Sequence, residues 1–244
     1  MRGYDEASYG DGMADVYDDW YAAPPDTDAC IAALAALAPQ GRVLELGAGT
    51  GRLAIPLAQR GLEMHALDGS AEMLRRLAAK PGGERVTCHV GDMATDLPPG
   101  PFDLVFVAVN TFFGILEPAA QAGAMLGIAE RLRTGGYFVI EAFVPEQDAD
   151  GDRIDVRDLS ADRVVLSISR TDAAKQQAMG QFVELRDGMP VRLRPWAIRW
   201  ALPEELDVMA SASGLALESR WSSWAGAPFT AESSNHVSVY RKPS

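Results

Sequence analysis

Between residues 42 and 144, short apolar runs alternate with stretches whose apolar positions recur every three or four residues. The runs RVLELG (42–47), EMHALDGS (63–70), RVTCHVGD (85–92), FDLVFVAVN (102–110) and YFVIEAFV (137–144) predict five strands. The fourth is apolar almost without interruption, as expected of a strand covered on both faces. Helical spacing runs from about Arg52 to Arg60, through AEMLRRLAAK (71–80), and from about Glu117 to Leu132. Pro81-Gly82-Gly83 ends the second of these, and Gly135-Gly136 forms a turn after the third. Strands alternating with helices at this spacing predict a mostly parallel sheet joined by right-handed crossovers.

The two ends of the chain follow other patterns. MADVYDDWY (13–21) predicts a short amphipathic helix with aromatic teeth, ended by Pro24-Pro25. Asp26 or Thr27 is placed to cap a helix through DACIAALAALAP (28–39), which Pro39 stops. After about Pro145 the period becomes two. RVVLSISR (163–170), QAMGQFVELRDG (177–188) and PVRLRPWAIRWAL (190–202) predict three antiparallel strands, with Arg186-Asp187-Gly188 as a hairpin turn. PEELDVMASASG (203–214) predicts a helix with Pro203 at its start and Gly214 past its end. Two strands, LALESRWSS (215–223) and NHVSVYRK (235–242), close the chain. The expected organisation is one domain: an N-terminal segment (1–25), an α/β core (26–150 and 202–244) and an antiparallel flap (151–201).

Composition narrows the partners. The formal charge is −12, and a negative field disfavours nucleic acid, where phosphate neutralisation supplies much of the affinity. No apolar run is long enough to span a bilayer, and the acidic, aromatic start lacks the pattern of a secretory signal, so the cytoplasm is expected. Cys30 and Cys88 lie far apart and suggest neither a disulfide framework nor a metal site. The acceptor of any chemistry is expected to be a small molecule.

The densest chemical signal is VLELGAGTGRLAIPL (43–57), where glycines at 47, 49 and 51 join a strand to a helix. A turn of this kind lets a ligand lie against the backbone beside free N–H groups. A phosphate-binding loop of the G-x-x-x-x-G-K-[ST] type is excluded, because Arg52 and Leu53 stand where it needs other residues and it has no Lys. The dinucleotide pattern G-x-G-x-x-G needs a third glycine at 52, which is Arg. Asp68, following the second strand, suits any ribose and does not discriminate.

With its neighbours, this stretch resembles the first motif of class I S-adenosylmethionine-dependent methyltransferases of the small-molecule, natural-product type. ALDGSAEML resembles the second motif, GDM the adenine-contacting segment, FDLVFVAVNTFF the fourth strand and LRTGGYFVIEAF the next helix end, turn and strand. The resemblance implies a Rossmann-like sheet of order 3-2-1-4-5-7-6 with an antiparallel last strand and an antiparallel β flap inserted after strand five. It implies an O- or N-methyltransferase using S-adenosylmethionine and releasing S-adenosylhomocysteine. The implied cofactor site comprises Tyr17, Glu45, Gly47, Ala48, Gly49, Gly51, Asp68, Gly69, Met73, Gly91, Asp92, Met93, Val109 and Asn110. Glu45 would accept from the ligand's amino group, Asp68 from the ribose hydroxyls and Asp92 from the adenine amine, with Met93 against the ring.

The acceptor side is less defined. Tyr21, Phe112, Phe113, Trp196 and Trp200 supply an aromatic pocket. Arg192, Arg194 and Arg199 on a flap strand suit a phosphate or carboxylate, a solvated face or an oligomer contact, and a homodimer through the flap is expected. Of three histidines, His65 and His89 lie inside strands, leaving His236 as the acid/base candidate. Similar enzymes that methylate amino sugars carry a histidine after strand four, where this chain reads NTFFGIL. The Asn-Pro-Pro-Tyr type motif of nucleic-acid methyltransferases is absent there, and DLPP (96–99) precedes strand four instead of ending it. Two alternatives stay open: use of S-adenosylmethionine for lyase or cyclase chemistry, and a nicotinamide-dependent oxidoreductase, which the glycine spacing opposes.

Overall fold

The computed structural model describes residues 1–21, 25–145 and 150–243. In chain order it comprises α1 (Ser8–Met13), α2 (Tyr17–Trp20), α3 (Thr27–Leu37), β1 (Arg42–Leu46), α4 (Ala54–Gln59), β2 (Glu63–Asp68), α5 (Ala71–Ala79), β3 (Val86–Val90), β4 (Phe102–Val107), α6 (Pro118–Arg131) and β5 (Leu132–Phe143). There follow β6 (Gly151–Leu159), β7 (Arg163–Asp172), β8 (Gln177–Arg186), β9 (Arg192–Arg199), α7 (Pro203–Ala212), β10 (Ala216–Trp221) and β11 (Asn235–Arg241). No helix among the described residues is long and apolar enough to cross a membrane.

The central sheet has the order β3-β2-β1-β4-β5-β11-β10, with β1 to β5 mutually parallel and β11 antiparallel to β5. This is the strand order that the motifs imply. Successive side chains of a strand point to opposite faces, so β1 sends Leu44 and Leu46 into one core and Val43 into another. The first core also holds Phe102, Phe112, Phe138 and Tyr240 beneath α6 and α7; the second lies under α3, α4 and α5. Both faces being covered accounts for the continuous hydrophobicity of β4, whose residues 104 to 107 are 0% exposed.

Three expectations are corrected. Of the helix expected over 13–21 only α2 (Tyr17–Trp20) forms, and α1 (Ser8–Met13) lies before that stretch; Pro24, expected to end it, lies outside the described residues. β5 starts at Leu132, so Gly135-Gly136 lies within the strand, with Gly135 at φ +78. The flap is a four-stranded sheet, β6-β7-β8-β9, not three strands. β6 was hidden because its sequence, GDRIDVRDL, is exposed on both faces and heavily charged, leaving only a faint alternation.

The N-terminal helices lie between the two sheets and are tied to both by carboxylates. Asp11 accepts from Ser70 Oγ at the start of α5 (2.5 Å), and Asp18 accepts from Thr50 Oγ1 (2.6 Å) and from Lys80 Nζ. Asp15 pairs with Arg192 and Arg194 of β9, and Arg194 also reaches Glu184 of β8 (2.8 Å). Between these ties, Met13, Met73, Val165 and Phe182 form a third apolar cluster, flanked by Tyr9, Tyr17, Trp20, Tyr21 and Trp196.

Candidate functional site

The glycine turn bends back from the end of β1 over β2. Gly47 and Ala48 N–H both donate to Leu67 O, at 2.8 and 3.1 Å. Gly47 takes φ +67, and a Cβ there would lie 2.1 Å from the Thr111 methyl, so a side chain is excluded by conformation and by space. Gly49 (φ +55) looks onto the Tyr17 ring, 3.8 Å from where its Cβ would be. Asp68, at the end of β2, accepts Gly49 N–H (2.7 Å) on one oxygen and Ser70 N–H (2.8 Å) on the other. It therefore clamps the turn to the start of α5, while Ser70 caps that helix by accepting Met73 N–H (3.2 Å).

Tyr17, Glu45, Gly47, Ala48, Arg52, Val109 and Thr111 line one cavity. Glu45 is 5% exposed, and its Oε2 has no hydrogen-bond partner. Burial raises its carboxyl to about 8, against the opposing pull of the Arg52 guanidinium. Burial also raises Asp68, against the two backbone N–H groups it accepts, and lifts the Tyr17 hydroxyl to about 12. An acid with an unfilled acceptor and an arginine thus share an enclosed space floored by backbone. That donor set suits a zwitterionic amino-acid end, with the carboxylate for its ammonium and the guanidinium for its carboxylate. The residues present therefore fit S-adenosylmethionine.

The tip of β4 forms the opposite wall. Val109 (φ +54) and Asn110 (φ +63) both adopt left-handed conformations, unusual above all for a β-branched residue. Hydrogen bonds from β5 hold them there: Val109 N–H donates to Glu141 Oε2 (2.9 Å), and Asn110 Oδ1 accepts Phe143 N–H (2.6 Å). Glu141 was not anticipated. Its signal was a single carboxylate inside the apolar run YFVIEAFV, and burial raises its proton affinity against the Val109 N–H and Trp224 that bind it. In the sequence Arg52 counts against the phosphate-loop and dinucleotide patterns, and no ligand role is legible for it there.

Other nominated residues are placed as follows. Gly51 (φ +83) packs on Leu77, and Gly69 lies under the Glu6 backbone. Gly91 N–H donates to Asp68 O (3.1 Å). Asp92 caps its own turn by accepting Ala94 N–H (2.8 Å), and Met93 packs against the first core. Met73 is 2% exposed beneath the N-terminal helices. Tyr21 packs at a tilt against Tyr17, centroids 4.9 Å apart, and Trp196 lies across Phe182 at 6.3 Å, so these two belong to the aromatic cluster beside the turn.

The structure corrects four nominations. Phe112 and Phe113 are 0% exposed, turned by residues 111–114 onto Phe138 and Phe143, so they are core instead of pocket wall. Trp200, 8% exposed, is packed in the same core. His236 is 0% exposed, with Nδ1 2.9 Å from Ser238 Oγ and its ring edge-on to Phe229. Burial, reinforced by Arg220, lowers its proton affinity to about 4. An enclosed, neutral imidazole that reaches no surface touches no acceptor. Arg192, Arg194 and Arg199 are all ion-paired.

Comparison with known proteins gives concordant matches. A family model described as a methyltransferase domain matches residues 43–136. The cypemycin N-terminal methyltransferase of Streptomyces sp is 31% identical over 203 residues, covering 82% of each chain. Among solved structures, the CcbJ methyltransferase from Streptomyces caelestis superposes with a TM-score of 0.90 at 39% identity, covering 99% of this chain and 100% of the other. CalS10 from Micromonospora echinaspora, an amino pentose methyltransferase with bound S-adenosylmethionine, shares the fold at 21% identity and a TM-score of 0.61, covering 99% of this chain and 93% of the other.

Proposed function

The chain belongs to the class I S-adenosylmethionine-dependent methyltransferases, and we propose that it transfers a methyl group to an N or O atom of a small molecule in specialised metabolism. The observation that carries this reading is the enclosed Glu45 carboxylate, with one oxygen unfilled, in the cavity that Arg52 and the glycine turn share. When bound, S-adenosylmethionine supplies a methyl group already activated on a sulfonium, with a neutral thioether as the leaving group. Glu45 holds the ammonium of its amino-acid end and Arg52 the carboxylate, while Gly47, Ala48, Gly49 and Gly51 let the ligand lie against the backbone. Asp68, already clamped by Gly49 and Ser70, accepts the ribose hydroxyls with its remaining lone pairs. Gly69 and Gly91 border the ribose and adenine, Asp92 accepts from the adenine amine, and Met93 packs on the ring. Tyr17 covers the turn.

The protein's own contribution is positioning and exclusion of water. Glu141 holds the strained Val109–Asn110 tip against the cavity, and the N-terminal helices close the opposite side. A nitrogen acceptor is favoured over oxygen. No histidine lines the cavity among the described residues, and an amine that enters unprotonated needs no side-chain base, whereas a hydroxyl does. The cypemycin enzyme is named for an N-terminus and CalS10 for an amino pentose. Residues 151–201 form the substrate-side unit of this reading, Tyr21 and Trp196 contact the acceptor, and the enzyme works in the cytoplasm.

A homodimer through the flap is part of the same proposal. The outer face of the second sheet exposes Ile154, Val156, Ile168, Leu185 and Leu193 at 38–68%, an apolar patch of the kind that marks an interaction surface.

Titration with S-adenosylhomocysteine and with NADP+ tests the cofactor, and release of S-adenosylhomocysteine in the presence of a panel of amines and phenols tests the transfer. Tight NADP+ binding with no response to S-adenosylhomocysteine overturns the proposal. Consumption of S-adenosylmethionine without methylated product would show lyase or cyclase chemistry instead.

A further inference from the structure

Eight arginines lie on the flap, and seven pair with carboxylates, at Asp15, Asp152, Asp155, Asp158, Glu184 or Glu205. Arg157 is the exception: among the described residues no carboxylate lies within ion-pair distance of it. Its side chain is exposed at the edge of the flap and is held by aromatic rings instead of an acid.

Its backbone is also irregular. β6 and β7 pair residue by residue except between Val156 and Asp158, where Arg157 is the extra residue of a bulge. Bulges re-aim a side chain, and here the guanidinium is turned over the third apolar cluster. It lies 4.7 Å from the Phe182 ring centroid, 4.9 Å from Tyr21 and 5.2 Å from Trp20. Three ring faces fix the plane of the fork, yet stacking uses none of its N–H groups, which stay available to a planar anion. A second unfilled donor stands nearby. Trp196, whose ring neighbours Phe182, has a buried Nε1–H with no partner. Tyr21 in turn packs at a tilt against Tyr17, which lies over Gly49 of the turn, so the cluster runs from Arg157 to the proposed methyl-transfer site.

We propose that Arg157 binds a carboxylate of the methyl acceptor: the acceptor is a small organic acid whose apolar body lies on Tyr21, Phe182 and Trp196 and whose carboxylate takes the guanidinium fork. Trp196 Nε1–H donates to an oxygen of the same molecule. This rests on the methyltransferase reading and deepens it by assigning the acceptor a charge and an orientation.

The test uses the full-length protein saturated with S-adenosylhomocysteine, whose binding is measured first. The probes are 3-phenylpropanoate and its near-isosteric amide, 3-phenylpropanamide, followed by calorimetry and tryptophan fluorescence. The acid should bind about tenfold more tightly than the amide, the scale of one charge-assisted pair. Arg157→Gln should bring the two to parity, and Arg157→Lys should keep part of the preference. Equal binding, no detectable binding of the acid, or a preference that survives in Arg157→Gln overturns the proposal. So does tighter binding of 3-phenylpropylammonium in Arg157→Gln than in the wild type, which would mean the arginine plugs a cation site. Any of these with S-adenosylhomocysteine bound leaves the methyltransferase reading standing. Failure to bind S-adenosylhomocysteine at all removes both.

Discussion

The unfilled acceptor on Glu45 makes cofactor binding depend on pH in a direction the structure dictates. Burial raises the carboxyl to about 8, so at pH 6 the free protein holds Glu45 almost entirely protonated. A ligand ammonium needs the carboxylate, so binding at pH 6 must expel a proton that binding well above pH 8 does not. Each unit below the raised value costs about 1.4 kcal/mol, which gives a loss of roughly 2.5 kcal/mol, on the order of a hundredfold in Kd, between pH 8.5 and pH 6. The linkage on folding has the opposite sense. The folded state holds this proton more tightly than the unfolded chain, so the contribution of Glu45 to stability is fullest below the unfolded value near 4.5. It declines as pH rises and levels off above about 8. Calorimetric titration with S-adenosylhomocysteine at pH 6, 7, 8 and 8.5, in two buffers of different ionisation enthalpy, reads both the affinity and the proton released. The affinity should rise with pH and flatten above 8, with close to one proton released at pH 6 and 7, about half at pH 8 and less at pH 8.5. Glu45→Gln, which keeps the shape and removes the titration, should bind weakly at every pH with no slope. A flat wild-type profile, or the same slope in Glu45→Gln, refutes this reasoning.

The remaining predictions concern the clamp, the turn, the N-terminal closure and the dimer. Asp68→Ala should weaken S-adenosylhomocysteine binding by about 1.5–3 kcal/mol, the scale of hydrogen bonds to a charged group; an unchanged Kd by calorimetry would mean the ribose is held elsewhere. Gly47→Ala should destabilise the fold by about 1–3 kcal/mol in urea unfolding, through positive φ and the Thr111 contact, and Thr111→Ser should recover only the steric part. Arg194→Ala leaves buried Glu184, 7% exposed, with only Arg186 at 4.0 Å, so it should cost about 3 kcal/mol and speed proteolysis within residues 8–21; Glu184→Gln added to it should restore part of the loss. If the outer face of the flap joins two copies, Ile154→Glu with Val156→Glu should halve the sedimenting mass while cofactor affinity stays unchanged.

Much of the fold was legible because its signals are local. The switch between strand and helix periods along 42–144 marks the elements, and Gly47, Gly49 and Gly51 mark a turn that only a close backbone approach explains. Asp68 was legible for the same reason, since an acid two residues before Ser70 and α5 sits where a strand hands over to a helix. The faint and long-range features escaped. β6 offers only exposed Ile154 and Val156 among charged neighbours and is a strand because β7 offers it a ladder. Phe112 and Phe113 read as pocket residues from their place after β4, but the left-handed Val109–Asn110 tip rotates them into the core. Glu141 acquires its task only because β5 lies beside β4 and brings its carboxylate to Val109 N–H.

The sequence by itself determined the order of the core elements, the glycine turn and the class of cofactor, because each is written in neighbouring residues whose spacing is the physical constraint. Only the tertiary structure decided which polar groups are left without partners. Glu45 Oε2 and Trp196 Nε1 are buried without a partner, and the Arg157 fork lies over three aromatic rings. That depends on burial and on strands brought together from distant parts of the chain. Composition shows that charges exist; packing alone determines which of them remain free to bind.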